Sequence, residues 1–155
     1  VYIERRYYLA NQECRAGTCI PQDTFDISPE TQVLVRLTLT LPERMHYLVV
    51  EDFIPAGAEI VDTSLNTTVI GQGDQEFHLF NPFDTGGNSW IFGSPHIYKD
   101  RAWWVSEYVP AGTYEIIYRL QPLFAGEFRA LPAHAYQYYF PDVEGASGGA
   151  LIIFR

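Results

Sequence analysis

The sequence predicts an all-β fold, an antiparallel β-sandwich with at most one short helix, and three observations predict it. Thr31 to Leu41 alternates strictly, with Val33, Val35, Leu37, Leu39 and Leu41 on one face and Arg36, Thr38 and Thr40 on the other. The phrase Pro-Ala-Gly recurs at 55–57 and 110–112, each time after an apolar residue and before a β-prone run, as turns between strands do. Finally, no window of eleven or more residues keeps a 3.6-residue period with caps, so helix is limited to a turn or two near Ser64 to Thr68.

The elements follow in chain order. Tyr47 to Glu51 comes after the short polar connection Pro42-Glu43-Arg44, so it is expected to form an antiparallel hairpin with the 31–41 strand. Thr113 to Leu120 sets Tyr114, Ile116, Tyr118 and Leu120 against Glu115 and Arg119. Gly126 to Ala130 reads as a further strand, and Ala150 to Phe154 as the last, after the flexible run Gly145 to Gly149. Short strands with turn signals between them, without helices, suggest a two-layer sandwich. Val35, Leu37, Leu39, Val49, Ile116 and Tyr118 are its expected core. Between Ile70 and Tyr98 lies a long stretch of low alternation carrying Phe77, Phe80, Phe83, Trp90 and Phe92. Such loops are commonly functional, and its rings can bury themselves.

At 155 residues, 1–155 is expected to be a single domain. Val1 in place of methionine is expected of a processed product or of a domain from something longer. Ten basic against nineteen acidic residues give a net charge of −9, which opposes any role neutralising phosphates, so nucleic acid is not an expected partner. The longest apolar runs fall far short of the roughly 20 residues that span a bilayer, so membrane insertion is not expected either. Cys14 and Cys19 enclose four residues including Gly17, and a local disulfide is the expected pairing. Zinc would need two further ligands, and His46, His78, His96 and His134 are scattered. A disulfide implies an oxidising, extracytoplasmic compartment.

Catalytic signatures are sparse. There is no Gly-x-Ser-x-Gly phrase, and Ser64, Ser94 and Ser106 lack a histidine and acid context. His96, beside Pro95, reads as a surface residue. Glu51-Asp52 and Asp142-Val143-Glu144 resemble the carboxylate pairs of glycosidases, but neighbouring acids in an acidic chain are usually solvated. Asp84 to Asn88 offers oxygens to calcium or, equally, a turn, and Asn66-Thr67-Thr68 fits a weak glycosylation pattern. No enzyme, metal or cofactor is expected.

The segment from Ala135 to Val143 places Tyr136, Tyr138, Tyr139 and Phe140 within five residues, ahead of Pro141. One sheet face cannot bury so many adjacent rings, so some are expected on a loop facing another domain. Aromatic rings anchor interfaces.

Five ordered phrases carry a resemblance: Val49 to Gly57, Asp62 to Leu65, Tyr98 to Trp104, Val109 to Tyr114, and Pro132 to Val143. Together they resemble the C-terminal macroglobulin domain, of MG10 type, of bacterial alpha-2-macroglobulins, from about Arg5 to the end. The resemblance implies a noncatalytic domain of a large secreted or surface-anchored protein that traps proteases through an internal thioester. The thioester phrase Cys-Gly/Leu-Glu-Gln is absent here, so that group would belong to a neighbouring domain. In the family a lock loop, usually Met-Tyr-x-Pro, covers the thioester. The matching residues are Tyr138, Tyr139, Phe140 and Pro141, with tyrosine at 138 in place of methionine. The implied partners are the thioester-bearing and other macroglobulin domains of the same parent, and target proteases through it. The cysteine pair and the 71–98 insertion lie outside the family pattern. The alternative is an extracellular adhesion or carbohydrate-binding sandwich, with Trp90, Trp103 and Trp104 stacking on sugars; tryptophans buried between sheets would count against it.

Overall fold

The computed structural model describes residues 1–10, 20–61, 92 and 95–155. Cys14, Cys19, Trp90, the 84–88 run, the glycosylation pattern and the stretch from Ser64 to Thr68, to which the sequence limits any helix, lie outside the described residues. The described residues form twelve strands and no helix: β1 (Tyr2–Leu9), β2 (Thr24–Phe25), β3 (Val33–Leu41), β4 (Met45–Phe53), β5 (Ala58–Ile60), β6 (His96–Ile97), β7 (Arg101–Val109), β8 (Gly112–Pro122), β9 (Gly126–Ala130), β10 (His134–Gln137), β11 (Phe140–Ala146) and β12 (Ala150–Phe154). They make a four-stranded sheet, β1-β3-β8-β5, a five-stranded sheet, β11-β10-β4-β7-β6, and a small third sheet, β2-β12-β9. All pairings are antiparallel except β2 with β12.

The two strands with the clearest alternation are direct neighbours. β3 and β8 pair with Val35 opposite Tyr118, Leu37 opposite Ile116 and Leu39 opposite Tyr114, so their apolar faces form one continuous ladder. That ladder packs against Leu48, Val50, Ala102 and Trp104 of the five-stranded sheet and against Ile152 and Phe154 of the third, in a single core. All six expected core residues are buried. Leu34, out of phase with that face, packs with Tyr8, Ala10 and Ile117 on the outer side of the four-stranded sheet.

The expected hairpin does not form. β3 and β4 belong to different sheets, because β3 is already paired along both edges, by β1 and β8, and has no edge left for β4. Pro42-Glu43-Arg44 is therefore an arch over the core. Both Pro-Ala-Gly phrases do the same work, carrying the chain from β4 to β5 and from β7 to β8, each time from the five-stranded to the four-stranded sheet. Their glycines serve different ends. Gly112 has φ +151°, a region that side chains rarely adopt, and Tyr114 closes this arch by donating its hydroxyl to the Pro110 carbonyl at 2.7 Å. At Gly57 the limit is space, since a Cβ would lie 2.3 Å from Cε2 of Phe128.

Pro141 sits inside β11, tolerated because β11 is the outermost strand of its sheet. Gly145 and Ala146 also belong to β11 rather than to a flexible run.

A candidate docking face built on an aromatic turn

β10 and β11 form a hairpin closed by the Gln137–Phe140 pair, and Tyr138 and Tyr139 are its turn. A register shift between Tyr136 and Gln137 bends the hairpin there. Tyr138, Tyr139 and Phe140 are 63%, 64% and 68% exposed, too bare to belong to this domain's core. Pro141 is exposed beside them. Tyr139 meets both Tyr138 and Tyr47 edge to face, each at 5.1 Å.

The turn forms one wall of a groove of about 560 Å³ on the outward face of the five-stranded sheet. Alternation builds its floor: Tyr136, Val49 and Val105 lie in one cross-strand row, and Glu51, Trp103 and His96 in the next. His96 stacks flat on Trp103, with ring centres 3.9 Å apart. Arg101 donates to Glu51 at 3.1 Å, and its guanidinium lies over the rings of Tyr98 and Phe53. Partial burial, with the charge of Glu51, raises the pKa of Tyr136.

Glu51 and Asp52 are not a solvated pair. Adjacent strand residues face opposite sides, so Glu51 lines the groove while Asp52 points inward and is fully buried. Asp52 accepts from Arg5 Nη1 at 2.5 Å and from the Tyr118 hydroxyl. Arg5 also donates to the carbonyls of Leu131 and Ala130. Burial pushes the Asp52 carboxyl up, against the pull of Arg5 and Tyr118. Burial alone would lower the Arg5 pKa, but the Asp52 charge and hydrogen bond together with the phenols of Tyr7 and Tyr118 outweigh it, and the net direction is upward. Of the other acids, Glu144 takes His134 at 2.7 Å. Of Glu51, Asp52, Asp142 and Glu144 only Glu51 lines the groove, while Asp52 faces the core. Among the described residues no three His, Cys, Asp or Glu side chains gather to hold a metal.

Trp104 is buried between the sheets against Tyr118, which counts against a sugar platform there, whereas Trp103 is half-buried in the groove with His96 stacked on its ring. Sequence reasoning named the turn but missed Tyr47, Trp103 and Arg101 as its surroundings, and Arg5 with Asp52 as the polar centre. The outward alternation of β4 and β7 was the available signal for the groove; nothing local marked the pairing of Arg5 with Asp52.

The comparisons with known proteins bear on the fold and the family. Residues 1–142 match the family described as the bacterial alpha-2-macroglobulin MG10 domain. An alpha-2-macroglobulin homolog of Nostoc sp. is 25% identical over 119 residues, which are 77% of this chain and 6% of that protein. This chain thus spans only a small part of that relative's length. Trypsin-activated alpha-2-macroglobulin from Escherichia coli superposes with a TM-score of 0.76 at 18% identity, over 99% of this chain and 10% of that one. Salmonella alpha-2-macroglobulin reacted with methylamine gives 0.70 at 16% identity, over 99% and 9%. At such identities the structural likeness speaks for the fold, and the family match speaks for descent: the chain belongs to the bacterial alpha-2-macroglobulin MG10 domain family.

Proposed function

We propose that this chain is a noncatalytic domain of a protease-trapping macroglobulin, and that its 138–139 turn shields a thioester carried by a neighbouring domain of the same parent. The observation that carries this reading is the bare tyrosine turn, preformed at the tip of a hairpin and backed by an aromatic groove. Large exposed rings on an otherwise well-packed domain mark an interface. A thioester survives only where water and small amines are kept out. Rings laid over it exclude both, yet a domain movement can lift them away.

Two relatives support the connection: one was activated by trypsin and another reacted with methylamine. Target proteases would therefore meet this chain only through the parent, outside the cytoplasm, where the Cys14–Cys19 pair would be oxidised.

The test is the full-length protein with Tyr139→Ala, treated with methylamine while thiol release is followed. The expected outcome is faster release, with the melting of this domain unchanged, because a ring without core contacts contributes little to folding. Equal release rates, or a domain melting several degrees earlier, would reject the shield.

A further inference from the structure

Tyr47 has φ +50°, the only positive φ of a non-glycine residue among those described. A bulky side chain adopts that conformation only when its surroundings impose it, and such strain gathers at functional sites. Its position in β4 explains the constraint. Met45 and Leu48 both face the core, so the two residues between them, His46 and Tyr47, are both turned outward. The strand changes phase at this point.

The phase change serves the neighbouring hairpin. Regular pairing of β10 with β4 ends at Gln137 opposite Leu48. One residue further on, Tyr138 N–H donates to the Tyr47 carbonyl at 2.9 Å, extending the ladder into the turn itself. His46 N–H is taken up by Gln137 Oε1 at 3.2 Å, and the Tyr47 ring meets Tyr139 edge to face at 5.1 Å. A strained residue thus grips the turn twice, through its carbonyl and through its ring.

We infer that Tyr47 is a positioning residue for the 138–139 turn, holding Tyr138 and Tyr139 in the projecting arrangement that a partner domain would receive. Its functional value rests on the shielding role proposed above, while the grip is a property of this chain and can be measured separately.

Peptide-resolved hydrogen exchange on the full-length protein measures it directly. Tyr47→Gly keeps the carbonyl, accommodates the positive φ and removes the ring. Exchange in the peptide spanning 137–140 is expected to quicken roughly five- to tenfold, as loss of an edge-to-face pair implies. Tyr47→Phe, which keeps the ring, should restore the native rate, and peptides from the β4–β7 ladder should exchange as before in both variants. Unchanged exchange at 137–140 in Tyr47→Gly would overturn the inference, and so would a loss of protection across the whole sheet, which would make Tyr47 merely structural. Methylamine reactivity of Tyr139→Ala judges the shield independently. If that variant reacts normally while Tyr47→Gly loosens the turn, the shield fails and the positioning role stands.

Discussion

Asp52 of the five-stranded sheet and Arg5 of the four-stranded sheet meet across the core, Oδ1 to Nη1 at 2.5 Å, with both side chains almost fully out of solvent. Tyr118, also from the four-stranded sheet, completes the coordination of Asp52. The first strand is thereby fastened to the layer opposite by charge as well as by packing.

Removing one partner should cost more than removing all three. Asp52→Asn leaves a buried guanidinium without its counter-charge and is expected to destabilise the chain by about 3 kcal/mol. Arg5→Met combined with Asp52→Leu and Tyr118→Phe should recover most of that loss, since this apolar trio leaves neither a charge nor a hydroxyl buried without a partner. Urea unfolding of the native chain and of the single and triple variants decides it, and a triple variant weaker than the single would contradict the argument.

Alkaline pH should weaken the fold. Burial, and then the charge of Asp52, hold the phenols of Tyr7 and Tyr118 well above the usual tyrosine range. Unfolded tyrosine ionises near pH 10, so above that pH the unfolded chain has released protons that the folded chain keeps. The unfolded state then binds fewer protons and stability falls with rising pH, by at most about 1.4 kcal/mol per pH unit for each such tyrosine. Urea midpoints between pH 8 and 11.5 should be flat at first and then descend. Tyr118→Phe should make the descent shallower; an unaltered slope would mean this phenol is not held protonated.

The two Pro-Ala-Gly glycines should respond differently to rescue. Gly57→Ala and Gly112→Ala are each expected to cost on the order of 1–3 kcal/mol, the first by collision with Phe128 and the second by backbone strain. Adding Phe128→Leu should restore much of the loss at 57 and nothing at 112. Thermal melts of the four variants make the comparison, and equal rescue at both sites would refute the distinction.

Peptide mapping of nonreduced protein should recover Cys14 and Cys19 as one crosslinked peptide. Loop closure over so few residues stabilises by only about 2 kcal/mol, so reduction should lower the melting temperature modestly without unfolding the domain. Two free thiols in oxidised material would rule the bond out.

Much of the fold was legible because burial on one face writes itself into a strand as alternation. Val33 to Leu41 and Thr113 to Leu120 could be read individually, and their pairing later explained why both were so regular. Partnership between strands was less legible. Pro42-Glu43-Arg44 looked like a hairpin connection because a short polar link suits a hairpin or an arch, and only the occupancy of both β3 edges separates the two. β1 is not legible as a strand, because Arg5 stands among its core-facing positions and interrupts the apolar alternation, and only the pairing with Asp52 across the core accounts for it. The exposed turn was visible as ring crowding from Tyr136 to Phe140. Tyr47 was not, since a positive φ leaves no mark on residue choice when surroundings rather than propensity enforce it.

The place of β11 at the sheet margin bears on how the molecule behaves in a crowd. A bare aromatic tip beside an open strand edge invites neighbouring molecules to add strand to strand and aggregate. Here the strand that follows the tip carries Pro141, which offers no amide hydrogen, and then Asp142 and Glu144, which bring repelling charge to any identical edge that approaches. The opposite margin, β6, is only two residues long and gives little to add to. The five-stranded sheet can therefore hold its tyrosines uncovered while its own two margins discourage strand addition.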